Sequence, residues 1–390
     1  MERIGIYGGT FNPPHVGHLR AAEAAMALLR LDRLVLMPAF CSPDKQTPEV
    51  SVEHRLQMLR LAAKPNMEVS ELEIARGGTS YTVDTLRQLR EMYPDAELVL
   101  LLGSDSFEGF LSWKAPEEIM KLASLAVLCR GGKKETAAIE QQKKRLEEMG
   151  GKIYRVDNPV TEISSSNLRR MLAFGCGREF LPEGVEAYIR NNGLYDTRKN
   201  WKKLPMEQLE KVVISLLKPN RVRHVLGCRD TAAELARIWG ANEDDAARAG
   251  MLHDVTKALD GPLQLTLCQA YDIMLDEFST KNPKTLHALT GSLVADRVFG
   301  ENQAVVDAIC SHTTGKGNMN TLEKIIYVAD YMEPNRDFPG VEELRQLAYT
   351  NLDKALKLGL EMTLAVLKER GSDISPESAE ALRYLESTGV

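Results

Sequence analysis

The stretch GIYGGTFNPPHVGHLRAAEAA, Gly5 to Ala25, joins a short apolar run to a glycine pair, two prolines, and His15 and His18 where a helical pattern begins. Histidines three apart lie on one side of a helix's first turn, where both rings can donate to phosphate oxygens. Gly8 and Gly9, read as a glycine turn, would let a phosphate approach the backbone N–H groups of that helix, and Thr10 adds a donor. The same two imidazoles equally suit a helix cap or a metal ion. Farther on, ISSSNLRRML, Ile163 to Leu172, puts serines at a helix start with Arg169 one turn in. There N–H groups, the Ser165 hydroxyl and a guanidinium can converge on an anion, although a serine cap with a surface arginine reads the same way.

A second constellation occupies the other half of the chain. His224, His253, His287 and His312 each stand in a hydrophilic or turn-like context, Asp254 follows His253 directly in AGMLHDVTKAL, and Asp330 lies in IIYVADYME. Any one of these histidines alone reads as a hydrogen-bonded helix residue. Together, four imidazoles and two carboxylates are the ligands that a pair of transition-metal ions would take. Lys257, four residues beyond His253 and so on the same helix face, and Arg336 in EPNRDFPG could meet a phosphate. TTGKGN, Thr313 to Asn318, is either a mobile phosphate lip or a plain loop.

The elements that must carry these groups differ between the halves. RIGIY, RLVLMPAF, EVSELEIA, ELVLLLGSDS, LAVLCRGG and KIYRVD read as strands alternating with helical patterns, which predicts a doubly wound α/β domain with a parallel sheet, residues 1–195. From Met206 onward apolar residues recur at helical spacing, predicting an all-α domain over 206–390. DTRKNWKK, between Gly193 and Pro205, gives a linker over 196–205, and the charged run Lys133 to Lys152 reads as the solvated face of a helix. At 390 residues, 44% hydrophobic and 27% charged, the chain fits two compact domains, and a net charge of -6 excludes a global field for nucleic acid or anionic lipid. Six scattered cysteines without a CxxC pair, no signal peptide and no membrane-length apolar run point to the cytoplasm.

The string GGTFNPPHVGH resembles the signature of nucleotidyltransferases that transfer adenylyl groups with an HxGH motif, and ISSSNLRRML resembles their second signature. Within that superfamily GGTSYTVDTLRQLR, LLGSDSFEGFLSWKAPEEI, LAVLCRGG and FLPEGVEAYIRNNGLY are similar to bacterial nicotinate-nucleotide adenylyltransferases, from Met1 to about Tyr195. The resemblance implies ATP as adenylyl donor with Mg2+ carried by its phosphates, and nicotinate mononucleotide as acceptor. It implies Gly8, Gly9, Thr10, His15, His18, Lys45, Asp105, Ser165 and Arg169 around ATP, with His15, His18 and Arg169 catalytic, and Thr82, Trp113 and Arg130 around the mononucleotide. Three residues depart from the pattern: Asn12 where aspartate is common, Asp44 in place of a histidine, and Lys114 after Trp113 where an aromatic is expected. The last two leave nicotinamide mononucleotide open as the acceptor, and phosphopantetheine is a further rival.

In the second half the order H…HD…H…H…D resembles the HD superfamily of metal-dependent phosphohydrolases. HDVTK, LHALTG and SHTTGKGNMNTLEKIIYVADYMEPNRDFPGVEELR are similar to the YqeK-type symmetrical diadenosine tetraphosphatases, over roughly Lys211 to Ala381. That resemblance implies two transition-metal ions, iron in the family, held by His224, His253, Asp254, His287, His312 and Asp330, with Asp254 bridging and catalytic. It also implies hydrolysis of diadenosine tetraphosphate to two ADP. The expectation is a bifunctional enzyme acting on small nucleotides, with no nucleic-acid or membrane partner and with a homo-oligomer left open. Its rivals for the second half are another nucleotide phosphohydrolase, a non-catalytic nucleotide sensor and a purely structural metal site.

Overall fold

A computed structural model describes residues 1–41, 43, 50–129, 133–158 and 163–390, so Lys45 and Arg130 lie outside the described residues. It forms two compact units, Met1–Arg198 and Lys199–Val390. The first runs β1 (Arg3–Gly9), α1 (Val16–Leu29), β2 (Arg33–Pro38), α2 (Val52–Ala62), β3 (Met67–Val69), α3 (Leu72–Arg76), α4 (Thr82–Met92) and β4 (Glu97–Gly103). It continues with α5 (Ser104–Glu108), α6 (Pro116–Leu122), β5 (Ser124–Cys129), α7 (Lys133–Glu148), β6 (Ile153–Asp157), α8 (Ser165–Ala173) and α9 (Val185–Asn192).

Its six strands are all parallel, in the order β3-β2-β1-β4-β5-β6, which makes this unit the doubly wound α/β domain expected. The apolar strand runs exist because both faces are covered: Leu98 to Leu102 are all buried, and Ile4, Ile6, Leu98 and Leu100 pack in one core with Val83, Leu86, Phe107 and Phe110. The order reverses between β1 and β4, and a crevice opens beyond their carboxyl ends.

Two local readings need correction. Of EVSELEIA only the start is strand, because the edge strand β3 pairs over three residues, after which the Leu72 N–H donates to the Ser70 hydroxyl at 3.2 Å and α3 begins. Gly8 and Gly9 are not a turn; they are the last residues of β1, in register with Met37 and Pro38.

The second unit is helical: α10 (Met206–Leu216), α11 (Val222–Trp239), α12 (Glu243–Leu252), α13 (Gly261–Ala270), α14 (Glu277–Lys281) and α15 (His287–Val294) precede α16 (Gln303–Ser311), α17 (Thr321–Met332), α18 (Val341–Thr350), α19 (Leu352–Glu369) and α20 (Pro376–Ser387). Gly250 lets α12 close on α11, since a Cβ there would lie 2.9 Å from the Arg229 Cα. Trp201, within the stretch read as linker, is buried and stacks on Phe299 with ring centroids 5.6 Å apart, and the Lys203 N–H donates to the Phe299 carbonyl at 2.8 Å. That end of the linker is packed into the second unit. Among the described residues no helix is long and apolar enough to cross a membrane.

Candidate functional sites

In the first unit, β1 ends and the chain reaches α1 through Thr10 to His15, a loop held from behind by buried donors. Arg55 on α2 is 1% exposed and donates to the carbonyls of Thr10 and Ala39, both at 2.9 Å, and of Phe40 at 3.3 Å. The Tyr195 hydroxyl donates to Asn12 Oδ1 at 2.6 Å, so the asparagine that replaces the common aspartate has a structural partner. Arg169 donates through Nη1 to the Asn12 carbonyl at 2.8 Å, and Ser165 donates to the Pro13 carbonyl at 3.1 Å. Both residues singled out in the second signature thus touch the first, and α8 is fixed against the loop before α1.

The loop presents His15 and His18 to a cavity of about 250 Å3, lined also by Tyr7, Gly103, Asn158 and Ser164 to Ser166. It lies where β1 and β4 diverge, at the helix start where backbone N–H groups face outward. The two imidazoles stack with centroids 3.6 Å apart. The His15 backbone N–H donates to His18 Nδ1 at 3.2 Å, which makes Nδ1 an acceptor and places the proton of a neutral His18 on Nε2. His18 is therefore set to donate. The Thr10 hydroxyl is buried without a hydrogen-bond partner among the described residues, and nothing lies within 4 Å of where a Gly8 Cβ would be.

The remaining positions are less tightly gathered. Asp105 is exposed on α5, and it, Thr82 and Trp113 are not among the residues lining that cavity. Thr82 opens α4, and Trp113 is half-buried with its ring 5.6 Å from that of Phe110. Lys114 bridges these two segments: its ammonium is 2.9 Å from Asp84 and 4.4 Å from the centre of the Tyr81 ring. The lysine that departs from the expected aromatic sits beside Thr82.

The centre of the second unit is built from side chains at helix ends. His253 and His312 immediately follow α12 and α16, and His287 begins α15. Each uses Nδ1 to donate to the carbonyl three residues earlier: Gly250 at 2.7 Å, Ile309 at 2.6 Å and Lys284 at 2.9 Å. Carbonyls at helix ends are available for this, and a carbonyl can only accept, so the neutral rings carry their lone pair on Nε2. Burial keeps them neutral, holding His253 and His287 well below the ordinary histidine value and His312 down to about 4. Residues 253–259 form successive turns with i to i+3 bonds such as Lys257 N–H to Asp254 O at 2.9 Å, so Lys257 is not on a helix face shared with His253.

Asp254 stands at the middle, 1% exposed, with Oδ2 3.7 Å from His224 Nε2 and 3.6 Å from His253 Nε2, and Oδ1 3.5 Å from His287 Nε2 and 3.9 Å from His312 Nε2. Asp330 on α17 brings Oδ1 to 3.0 Å from His224 Nε2, and the Nε2 atoms of His224 and His253 are 3.2 Å apart. Burial would raise the Asp330 carboxyl, but the His224 hydrogen bond and the Arg336 guanidinium hold it well below the carboxylate range. Lone pairs and carboxylate oxygens packed this closely fit a cation better than they fit one another. Among the described residues two groups are compact enough to hold one, His224 with His253 and Asp330, and His253 with Asp254 and His312. They share His253, and His287 is in neither.

Cations already surround the cluster. Arg221 pairs with Asp254, Arg336 bonds Asp330 through Nη2 at 2.5 Å, and Lys257 sets its ammonium 2.7 Å from His287 Nε2. The Lys257 side chain is 40% exposed along its length, yet burial of its inward-pointing end lowers its pKa to about 8. Thr313 is 3.2 Å from the Nε2 atoms of both His287 and His312. The TTGKGN loop that follows is not a free lip: Ser378 on α20 donates to the Thr314 carbonyl at 2.8 Å, Tyr384 to Asn318 Oδ1 at 2.8 Å, and Lys316 pairs with buried Glu323 at 2.5 Å. Sequence reasoning missed Arg221, Arg55, Tyr195 and the buried Glu333; the last two lay in quoted motifs without being singled out.

Comparison with known proteins finds a different family in each unit. Residues 6–171 match the cytidylyltransferase-like family and residues 221–335 match the HD domain. A protein of Citrifermentans bemidjiense named "Probable nicotinate-nucleotide adenylyltransferase" is 40% identical over 50% of this chain and 98% of its own length, and one of the same name from Dictyoglomus thermophilum is 39% identical over 50% and 99%. A crystal structure of a "predicted HD superfamily hydrolase involved in NAD metabolism" from Clostridium acetobutylicum is 36% identical, covering 47% of this chain and 98% of that one, with a TM-score of 0.46. With its paired histidines at the sheet's switch point and its second unit built around an HD cluster, the chain belongs through its first half to the nicotinate-nucleotide adenylyltransferase family and carries an HD domain in its second.

Proposed function

We propose that the chain joins two enzymes of adenine-nucleotide metabolism. The first transfers the adenylyl group of ATP to nicotinate mononucleotide. The observation that carries it is the cavity beyond β1 and β4, where stacked His15 and His18 stand at a helix start beside the serines of α8. A phosphate oxygen of the mononucleotide attacks the α-phosphorus of ATP, the bond from that phosphorus to the oxygen bridging the β-phosphate breaks, and pyrophosphate leaves. No side-chain nucleophile is needed, so the protein's work is placement and neutralisation of charge. His18 donates from Nε2, while Ser165 and Arg169, by fixing the Asn12–Pro13 backbone, hold the cradle as well as its charge. Magnesium brought by ATP supplies further neutralisation. Gly8, Gly9, Thr10, Lys45 and Asp105 complete the ATP side; Thr82, Trp113 and Arg130 take the pyridine mononucleotide. The purified chain given ATP with nicotinate or nicotinamide mononucleotide should form the nicotinate dinucleotide preferentially by chromatography; no dinucleotide from either would overturn the assignment.

The second enzyme hydrolyses diadenosine tetraphosphate symmetrically to two ADP. The observation behind it is the convergence of four imidazole Nε2 atoms on Asp254, with the Asp330 carboxylate against His224. Two transition-metal ions, iron in our reading, would be held by His224, His253, Asp254, His287, His312 and Asp330 and would supply an activated water and neutralisation of phosphate charge. Asp254, with one oxygen toward each pair of histidines, is suited to bridge them. Lys257 and Arg336, joined by Arg221, lie where phosphates would approach. Separation of products from the metal-loaded chain tests this: ADP alone supports it, and AMP with ATP would instead place the cleavage asymmetrically.

A further inference from the structure

His224 differs from the other three histidines of the cluster in one respect. It is the third residue of α11, an eighteen-residue helix, and the residue three before it, Arg221, is the N-cap of that helix, whose carbonyl takes the helix's own first hydrogen bond. Its Nδ1 has a different partner: Glu333 Oε1, at 3.1 Å, from the residue that closes α17. That carboxylate is 1% exposed. Its other oxygen accepts from the Asn335 backbone N–H at 2.8 Å and from Asn335 Nδ2 at 2.7 Å, and the Asn335 amide also reaches the Arg223 carbonyl at 3.2 Å, next to His224. Gly227, one turn beyond His224 on the same face of α11, makes the room. A Cβ there would run into Glu333 Oε2 and lie 3.1 Å from Asn335 Nδ2.

We infer that Glu333, lodged in the slot left by Gly227 and oriented by Asn335, is a positioning residue that fixes the Nδ1–H tautomer of His224 so that Nε2 is free to bind metal. The inference rests on the metal-centre reading above. It assigns to a side chain the task that helix-end carbonyls perform for His253, His287 and His312. Outer carboxylates of this kind orient a ligating ring and raise its basicity, and losing one weakens metal binding by about 10- to 100-fold. Asp330 follows from the same geometry, because it precedes Glu333 by one turn of α17: one stretch of chain offers a carboxylate to each ring nitrogen of His224.

Two variants of the full chain test it. Glu333→Gln keeps the shape of the side chain; Asn335, donating twice, draws the amide oxygen to itself, so the new NH2 group faces His224 and forces its proton onto Nε2. Gly227→Ala leaves every ligand and Glu333 in the sequence yet fills the slot. In zinc-loaded, 15N-histidine-labelled protein, two-bond proton–nitrogen correlations should show four histidines bound through Nε2 with protonated Nδ1 in the wild type, and three in Glu333→Gln. Zinc affinity against a chelating dye should fall about 10- to 100-fold in Glu333→Gln and in the same direction in Gly227→Ala. Folded variants that keep all four Nδ1–H signals and wild-type affinity would overturn the inference alone. A wild type that takes up no zinc would overturn the metal-centre reading and this inference with it.

Discussion

At the end of β1 in the first unit, the best-placed side chains are spent chiefly on backbone: Arg55, Arg169 and Ser165 donate to the carbonyls of Thr10, Ala39, Phe40, Asn12 and Pro13, and Tyr195 adds a bond to the Asn12 side chain. In the second unit the relation is reversed, because backbone carbonyls and Glu333 are spent on orienting side chains, four imidazoles whose Nε2 atoms surround Asp254. The contrast matches the two proposed chemistries. Moving a phosphorus between two oxygens that the substrates bring with them asks for a shaped cradle with charge, whereas activating water at neutral pH asks for ligands whose protonation state is fixed in advance.

If the two centres are chemically separate, they should break separately. The largest effect is expected from His253→Ala combined with Asp254→Ala, which removes the residue shared by both candidate metal groups together with the central carboxylate. Hydrolysis should fall to background and bound metal, measured by elemental analysis, should be lost, while adenylyl transfer is unchanged. His18→Ala should lower kcat for adenylyl transfer by about 10²- to 10³-fold, the loss typical of one charge-stabilising donor, with hydrolysis untouched in the same preparation.

Arg55→Met sharpens the comparison because the hydrogen bonds of Arg55 among the described residues all go to backbone carbonyls. Leaving carbonyls of the loop unsatisfied should destabilise the first unit by about 2–4 kcal/mol in thermal or denaturant unfolding. It should also slow transfer by about tenfold, a sign that loop shape is part of the catalyst.

A further expected effect, read as stability alone, concerns pH in the metal-free protein. His312 titrates at about 4 when folded and near the ordinary 6.5 when unfolded, so between these values the unfolded chain binds more protons and stability rises with pH. The second unit should therefore lose about 3 kcal/mol from this residue as pH falls from about 6.5 to 4, and His253 and His287, depressed in the same direction by burial, add to the loss. Urea unfolding followed across that range, with metal removed, measures it; a flat profile would show that the rings are not held neutral.

The sequence carried the cluster of the second unit and the histidine pair of the first because those residues hold their chemistry in the side chain, and the parallel sheet because runs such as ELVLLLG are apolar on both faces. What it hid depends on juxtaposition. Glu333 reads as an ordinary acid in EPNRDFPG until α17 delivers it to His224, and Gly227 reads as a weak point in a helix until the carboxylate beside it is seen. Gly8 and Gly9 look like a turn by composition, and pairing with β2 overrides that. EVSELEIA fails as a strand for a related reason: β3 is an edge of the sheet and finds only three partners. Lys45 and Arg130 lie outside the described residues, and their assignment rests on the motifs that contain them.

The central claim, that a second active centre is joined to an adenylyltransferase, is tested most directly by product analysis. The full chain, loaded in turn with iron(II), manganese(II) or cobalt(II), is given diadenosine tetraphosphate as its sole nucleotide, beside the His253→Ala, Asp254→Ala double variant. The account predicts ADP as the only product from the wild type and none from the variant. Absence of turnover with all three metals, or equal turnover by the variant, would contradict it.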